Sequence, residues 1–196
     1  LMPVYRFYKK ELLHIHIPKT GGTSVTKAVE KHGGLSSYMR KSPVAQCGNV
    51  PPQHMDIEHT KMFFDLEKIP AFAVVRDPWK RTVSEFVWQT RTLNFTHLNS
   101  WLLSNLINIQ HEKHANHFLP QHKFINKDVK LFRYDRDWNA MIDYVGKQLK
   151  IRNFDIEFRE GQVNNYDAPK RRIVSKTTQS LWEDFYKEDL DLYHSL

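Results

Sequence analysis

The chain reads as an α/β protein with a central, mainly parallel sheet flanked by helices. Three observations predict this. Leu12, Leu13, Ile15 and Ile17 form an apolar run of strand length that leads through a glycine-bearing loop into an amphipathic segment. Ala71-Phe72-Ala73-Val74-Val75 is continuously apolar, the pattern of a parallel strand buried on both faces. Strand-like and helix-like segments alternate to the C-terminus, without internal repeat, low-complexity tract or dividing linker. At 196 residues, a single domain over 1–196 is expected.

Residues 1–10 are aromatic and basic and read as a lead-in to the first strand. Pro18 stops that strand, and Thr23 or Ser24 is expected to cap a helix that runs to about Lys31. His32-Gly33-Gly34 ends it, glycine being the usual helix terminator. Residues 35–53, with Pro43, Gly48, Pro51 and Pro52, read as a long surface loop. A short helix is expected over 59–68, stopping before Pro70. Beyond the second buried strand, Asp77 caps a helix whose first position is Pro78 and whose apolar side carries Trp79, Val83, Phe86 and Val87. Helices follow over 97–110 and 137–149, on either side of a strand at Val129–Tyr134. A last helix is expected over about 178–193, with Leu181, Trp182, Phe185 and Leu192 turned inward. Residues 160–176 are polar and basic.

Composition narrows the class of protein. An apolar content of 40% and an aromatic content of 13% belong to a folded chain. Twenty-nine Lys and Arg against 22 Asp and Glu give a net charge of +7, which favours an anionic partner. Cys47 is the one cysteine, which excludes an internal disulfide or a cysteine metal cluster and reads as a small buried or half-buried side chain. No stretch has transmembrane length and no signal peptide is visible. A cytoplasmic location is expected, with a lumenal protein shorn of an N-terminal anchor as the alternative. Leu1-Met2-Pro3 reads as a trimmed end, and Asn94-Phe95-Thr96 matches a glycosylation sequon of a kind common by chance.

The chemistry concentrates in two stretches. In Ile17-Pro18-Lys19-Thr20-Gly21-Gly22-Thr23-Ser24, the glycines let the backbone turn and approach a ligand closely. The following helix start presents free N–H groups and the positive end of a dipole. Lys19 adds a full charge, so the loop has the makings of a phosphate or sulfate cradle. It is not the Walker A pattern, in which Lys follows the second glycine. A plain strand–turn–helix with a chance Lys remains open from this loop alone.

The second stretch is Arg76-Asp77-Pro78-Trp79-Lys80-Arg81-Thr82-Val83-Ser84-Glu85-Phe86. Arg76 ends a buried strand, and ligands of open parallel sheets bind beyond the carboxyl ends of strands. Lys19 and Arg76 would then face one crevice, with Ser84 two helical turns on. A structural pairing of Arg76 with Asp77 or Glu85 is the alternative.

Taken together, the two stretches resemble the sulfotransferases that use 3′-phosphoadenylyl sulfate (PAPS), and most of all the carbohydrate branch with its uronyl 2-O-sulfotransferases. The motifs cover about a tenth of the chain, in the family's order and spacing. The resemblance implies a P-loop-like three-layer fold. It implies that Lys19, Thr20, Gly21, Gly22, Thr23 and Ser24 hold the 5′-phosphosulfate, and that Arg76 and Ser84 hold the 3′-phosphate. It assigns Arg171 and Arg172, in Lys170-Arg171-Arg172, to a loop that closes over the nucleotide, against the alternative of a solvated basic face. Tyr134-Asp135-Arg136-Asp137 departs from the Glu-centred sequence many members show, which leaves the role of that position open.

The resemblance also implies a base. A catalytic His of the 2-O-sulfotransferases lies just upstream of the Arg-Asp-Pro strand, where this chain has Gln53-His54-Met55. A sugar hydroxyl needs a base to take its proton, and neutral imidazole suits that near pH 7. His59 is the fallback, and Asp56 and Glu58 are carboxylate alternatives. The implied reaction is in-line displacement at sulfur. His54 deprotonates an acceptor hydroxyl, and Lys19 and the loop amides stabilise charge on the equatorial and bridging oxygens. Adenosine 3′,5′-bisphosphate is the product and no metal is required. The implied partner is a hydroxyl-bearing glycan or small molecule, not nucleic acid.

His14 and His16 share a strand face and read as core or crevice neighbours. His111, His114 and His117 diverge around a helix and make a poor zinc set, and Ala115 breaks any His-Glu-x-x-His pattern. Two rival functions stay in view. A phosphotransferase with a variant P-loop lacks Gly-Lys-Ser/Thr and a clear Mg²⁺-binding carboxylate. A non-catalytic polyanion binder would interleave basic and aromatic residues on one surface, whereas here the basic residues are scattered.

Overall fold

A computed structural model describes residues 3–37, 50–90, 97–108, 115–157 and 173–196. Cys47, the Asn94 sequon, His111, His114, Arg171 and Arg172 lie outside the described residues.

Five strands form one sheet: β1 (Val4–Phe7), β2 (Lys10–Ile15), β3 (Leu35–Ser37), β4 (Ala71–Val75) and β5 (Val129–Arg133), in the spatial order β3-β1-β2-β4-β5. The expected α/β fold with a parallel core is present. β2 pairs parallel with β4, and β4 with β5. Two antiparallel strands extend the sheet on the far side of β2. The segment expected to be a lead-in folds as β1 and forms a hairpin with β2, Phe7 opposite Lys10. The long loop after the first helix likewise opens with β3, paired to β1. Both strands are short, and the hairpin turns through Tyr8 at φ 50° rather than through glycine, so local turn signals were missing.

β4 is buried along its whole length. Its side chains alternate between two cores. Phe72 and Val74 pack with Val25, Ala28 and Val29 of α1 (Gly22–Lys31) and with Met141, Val145 and Leu149 of α5 (Trp138–Leu149). Ala71, Ala73 and Val75 pack on the other face with Met55, with Ile57 of α2 (Ile57–Lys61), and with Tyr193 near the C-terminus. Three layers result. A third core joins α3 (Pro78–Thr90), α4 (Leu98–Ile107) and α6 (Lys176–Phe185) around Trp79, Trp101 and Trp182. As expected, Asp77 caps α3, its Oδ1 accepting from the Lys80 N–H at 2.8 Å.

Two helices differ from expectation. The last one is split at Tyr186 (φ −103°, ψ 19°) into α6 and α7 (Lys187–Ser195), and Leu181 faces outward. The break lets Trp182 enter the third core while Tyr193 enters the first. The helix placed over 59–68 starts two residues earlier and ends at Lys61, because Asp56 caps it and turns follow.

Candidate active site

β2, β4 and β5 run parallel, so the loops after them leave the same end of the sheet. After β2 the chain passes through His16, Ile17 and Pro18 into Lys19, which takes a left-handed φ of 68°. Thr20 is buried and its hydroxyl donates to the Ile17 carbonyl at 2.8 Å, closing the turn. Gly21 follows at φ 86° and is itself the N-cap of α1. The expected cap by Thr23 or Ser24 is therefore absent. Both lie in the first turn, and no side chain caps the helix. The Ser24 N–H donates to the Gly21 carbonyl at 2.9 Å, so the Gly22 and Thr23 amides ahead of it, with the positive dipole end, are what an anion would meet. Gly22 is required for another reason: a Cβ there would stand 2.2 Å from the His16 ring.

After β4 comes Arg76. The Gln121 side-chain amide grips its backbone on both sides, Oε1 accepting from the Arg76 N–H at 3.0 Å and Nε2 donating to its carbonyl at 2.8 Å. The guanidinium lies 4.5 Å from the Tyr134 ring, a cation–π contact. Its Nη1 donates to the Lys19 carbonyl at 3.0 Å. The two sequence motifs thus meet at one end of the parallel strands, and among the described residues neither Asp77 nor Glu85 takes the Arg76 side chain. Arg76 Nε is buried with no hydrogen-bond partner among the described residues. Ser84 is buried on α3, and among the described residues no hydrogen bond ties it to the loop.

Arg81 holds the loop from behind. It is buried, and its Nε donates to the Pro18 carbonyl at 3.1 Å while Nη2 donates to the carbonyls of His117 (2.9 Å) and Leu119 (3.0 Å). The sequence places Arg81 inside the motif but offers nothing to show that it would clamp three carbonyls.

The candidate base is not an exposed loop residue. His54 ends a buried 3₁₀ turn (Pro52–His54), and its Nδ1 is 3.1 Å from the Ala115 carbonyl. That bond requires the proton on Nδ1 and leaves the lone pair on Nε2. His54 stands in a line of imidazoles. His14 stacks on Phe72 (4.5 Å) and His16 (5.4 Å), His16 meets His54 edge to face (5.3 Å), and His54 meets His117 likewise (4.8 Å). His14 and His16, expected as core or crevice neighbours, are both buried, His14 against the core residue Phe72. Burial first, then the unfavourable proximity of His16, His117 and Arg81 to a cationic ring, holds His54 well below the ordinary histidine value. Burial and His117 bring His16 to about 4.

At the far end of the line, His117 Nδ1 lies 2.7 Å from Glu85 Oε2. Burial would raise the Glu85 pKa, but the His117 hydrogen bond and the His117 and Lys19 charges outweigh it, and the carboxyl sits below its ordinary value. Trp88 stacks on His117 at 5.1 Å and carries the Lys19 ammonium 5.2 Å above its own ring. His59 and Asp56 bond each other at 2.8 Å, and Glu58 pairs with Lys61 on the surface, so these fallback groups are already engaged. Sequence reasoning did not assign Tyr134, Gln121, Glu85 or His117, whose partners are remote in the chain.

A family model described as the sulfotransferase family matches residues 4–194. The chain belongs to the sulfotransferase family. Its members transfer a sulfuryl group to an acceptor hydroxyl, so the sulfotransferase motifs and the P-loop-like sheet describe the same object. No curated protein and no solved structure matches the chain significantly. Among the described residues no helix of this family member is long and apolar enough to cross a membrane, and no group of three or more His, Cys, Asp or Glu is placed to hold a metal ion.

Proposed function

We propose that the protein takes its sulfuryl group from PAPS and delivers it to a hydroxyl of a carbohydrate, with residues 1–196 acting as one catalytic unit. One observation supports this: the Arg76 guanidinium bonds the Lys19 carbonyl, so the two cationic loops stand side by side. The residues fit a doubly phosphorylated nucleotide. An uncapped helix start follows a turn whose glycine no larger residue can replace without striking His16. A buried guanidinium beside it has an Nε with no partner among the described residues.

Lys19 and the backbone from Thr20 to Ser24 would hold the 5′-phosphosulfate, and Arg76 with Ser84 the 3′-phosphate. Arg171 and Arg172 would close over the nucleotide. When bound, the donor supplies a sulfuryl group on a phosphate leaving group. His54 Nε2 takes the acceptor's hydroxyl proton as the oxygen attacks. Lys19 and the loop amides offset the negative charge that grows on the oxygens around sulfur. Trp88, half exposed beside Lys19 and His117, offers a sugar ring an aromatic face at the crevice.

Calorimetry tests the donor. Tight binding of adenosine 3′,5′-bisphosphate, without need of Mg²⁺, is expected. Preference for ATP with Mg²⁺ would make the protein a phosphotransferase, and salt-sensitive polyanion binding alone would make it a binder. His54→Ala should abolish sulfate transfer while nucleotide affinity stays unchanged. A fully active variant would remove His54 from the mechanism. Radiolabelled sulfate transfer across sugars, lipids and phenols identifies the acceptor.

A further inference from the structure

The base proposed above has a chemical difficulty. His54 is buried, and its immediate basic neighbours among the described residues are His16 just after β2, His117 ahead of the second 3₁₀ turn (Gln121–Phe124), and Arg81 on α3. On its own segment the nearest carboxylate, Asp56, is committed to capping α2 and to His59. An imidazole so placed gains a positive charge at high cost unless something nearby offsets it.

One buried carboxylate is built into the same cluster. Glu85 is 2% exposed, and its Oε2 holds His117 Nδ1 at 2.7 Å while Oε1 accepts from Gln89 Nε2 at 2.8 Å. His117 in turn packs edge to face on His54 at 4.8 Å and is pinned on its other side by Trp88. Its backbone is fixed as well, since Arg81 takes the His117 carbonyl with the same guanidinium that reaches Pro18. The carboxylate, the ring it orients and the donor loop therefore share one helix, α3, as their support. A carboxylate bond to Nδ1–H also enriches the imidazole in electrons, which favours a cation beside it.

We propose that Glu85 and His117 are positioning residues for the His54 base: the carboxylate-held imidazole fixes the His54 ring and offsets the positive charge that arises on it during transfer. In that step the acceptor O–H bond breaks, an N–H bond forms on His54 Nε2, the acceptor oxygen's electron pair forms the new bond to sulfur, and the bond from sulfur to the phosphate oxygen breaks, its electron pair leaving with adenosine 3′,5′-bisphosphate. Glu85 stays ionised throughout, and the proton leaves His54 for solvent after product departs. The proposal rests on the sulfotransferase function argued above.

Glu85→Gln keeps the shape and removes the charge. Without the carboxylate a cationic His54 is less favourable, so its pKa falls further. The acid limb of the kcat profile should move to lower pH, and the plateau should drop about tenfold because a weaker base remains. Affinity for adenosine 3′,5′-bisphosphate should not change. Glu85→Asp, which keeps the charge, should hold the acid limb near its original place and recover part of the rate. A nitrogen-15 NMR titration of the histidine side chains reads the His54 shift without any donor or acceptor. An unmoved acid limb and an unmoved His54 titration in Glu85→Gln would reduce the pair to packing and overturn the proposal. Should the parent protein neither bind the bisphosphate nor transfer sulfate, the functional assignment falls, while the NMR titration still decides whether Glu85 acts on His54.

Discussion

Arg76 Nη1 donates to the backbone carbonyl of Lys19 at 3.0 Å, across 57 positions of sequence. A charge-assisted bond to a carbonyl fixes where the donor loop stands relative to the end of β4. Arg76→Ala should therefore weaken adenosine 3′,5′-bisphosphate by at least about 2 kcal/mol, roughly 30-fold in Kd. Calorimetry checks this, and affinity within threefold of the parent would detach Arg76 from the nucleotide.

Arg81 bonds three carbonyls from a buried position, at Pro18, His117 and Leu119. Arg81→Ala leaves them without donors and should cost about 3 kcal/mol of stability, measured by urea unfolding. Arg81→Lys, a point donor that cannot span the three, should fall between.

Gly22 and Gly33 make a matched pair. At Gly22 the obstacle is the His16 ring, 2.2 Å from an added Cβ. At Gly33 there is open space but a φ of 82°. Gly22→Ala should cost about 1–3 kcal/mol by overpacking and also impair nucleotide binding. Gly33→Ala should cost about 1 kcal/mol through its backbone and leave binding intact. Equal nucleotide affinities in the two variants would contradict the role given to the loop.

Stability should fall on acidification before most carboxylates titrate. The folded-state pKa values of His14, His16 and His54 all lie below the ordinary 6.5, chiefly through burial, with His16 at about 4. Between those values the unfolded chain binds the protons and the folded chain does not, so stability is full above pH 6.5 and is lost as pH falls toward 4. His16 alone is worth on the order of 3 kcal/mol across that window. Urea midpoints at successive pH values check this, and a flat profile from neutral pH to pH 5 would mean the imidazoles are solvated.

Much of the candidate donor site was legible because its parts are contiguous. Lys19, Gly21 and Gly22 sit in one loop, and Arg76 follows directly on a five-residue apolar strand. The proposed base came from the family resemblance, as a position rather than an environment. Nothing near His54 in sequence announces Ala115 or His117 as its neighbours. The antiparallel strands β1 and β3 were hidden for a related reason. Each is short, and each is a strand only because another segment pairs with it.

Read as a string of residues, the chain already specified which strands are buried, where the backbone must turn and which cations stand at the strand ends. Those properties depend on adjacent residues, through apolar patterning, glycine freedom and helix starts. Folding in three dimensions assigned the partners: Lys19 carbonyl to Arg76, three carbonyls to Arg81, Glu85 to His117, and a line of imidazoles running from His14 to His117. Such pairings join segments dozens of residues apart, and they form only where close packing leaves one arrangement that satisfies every buried polar group.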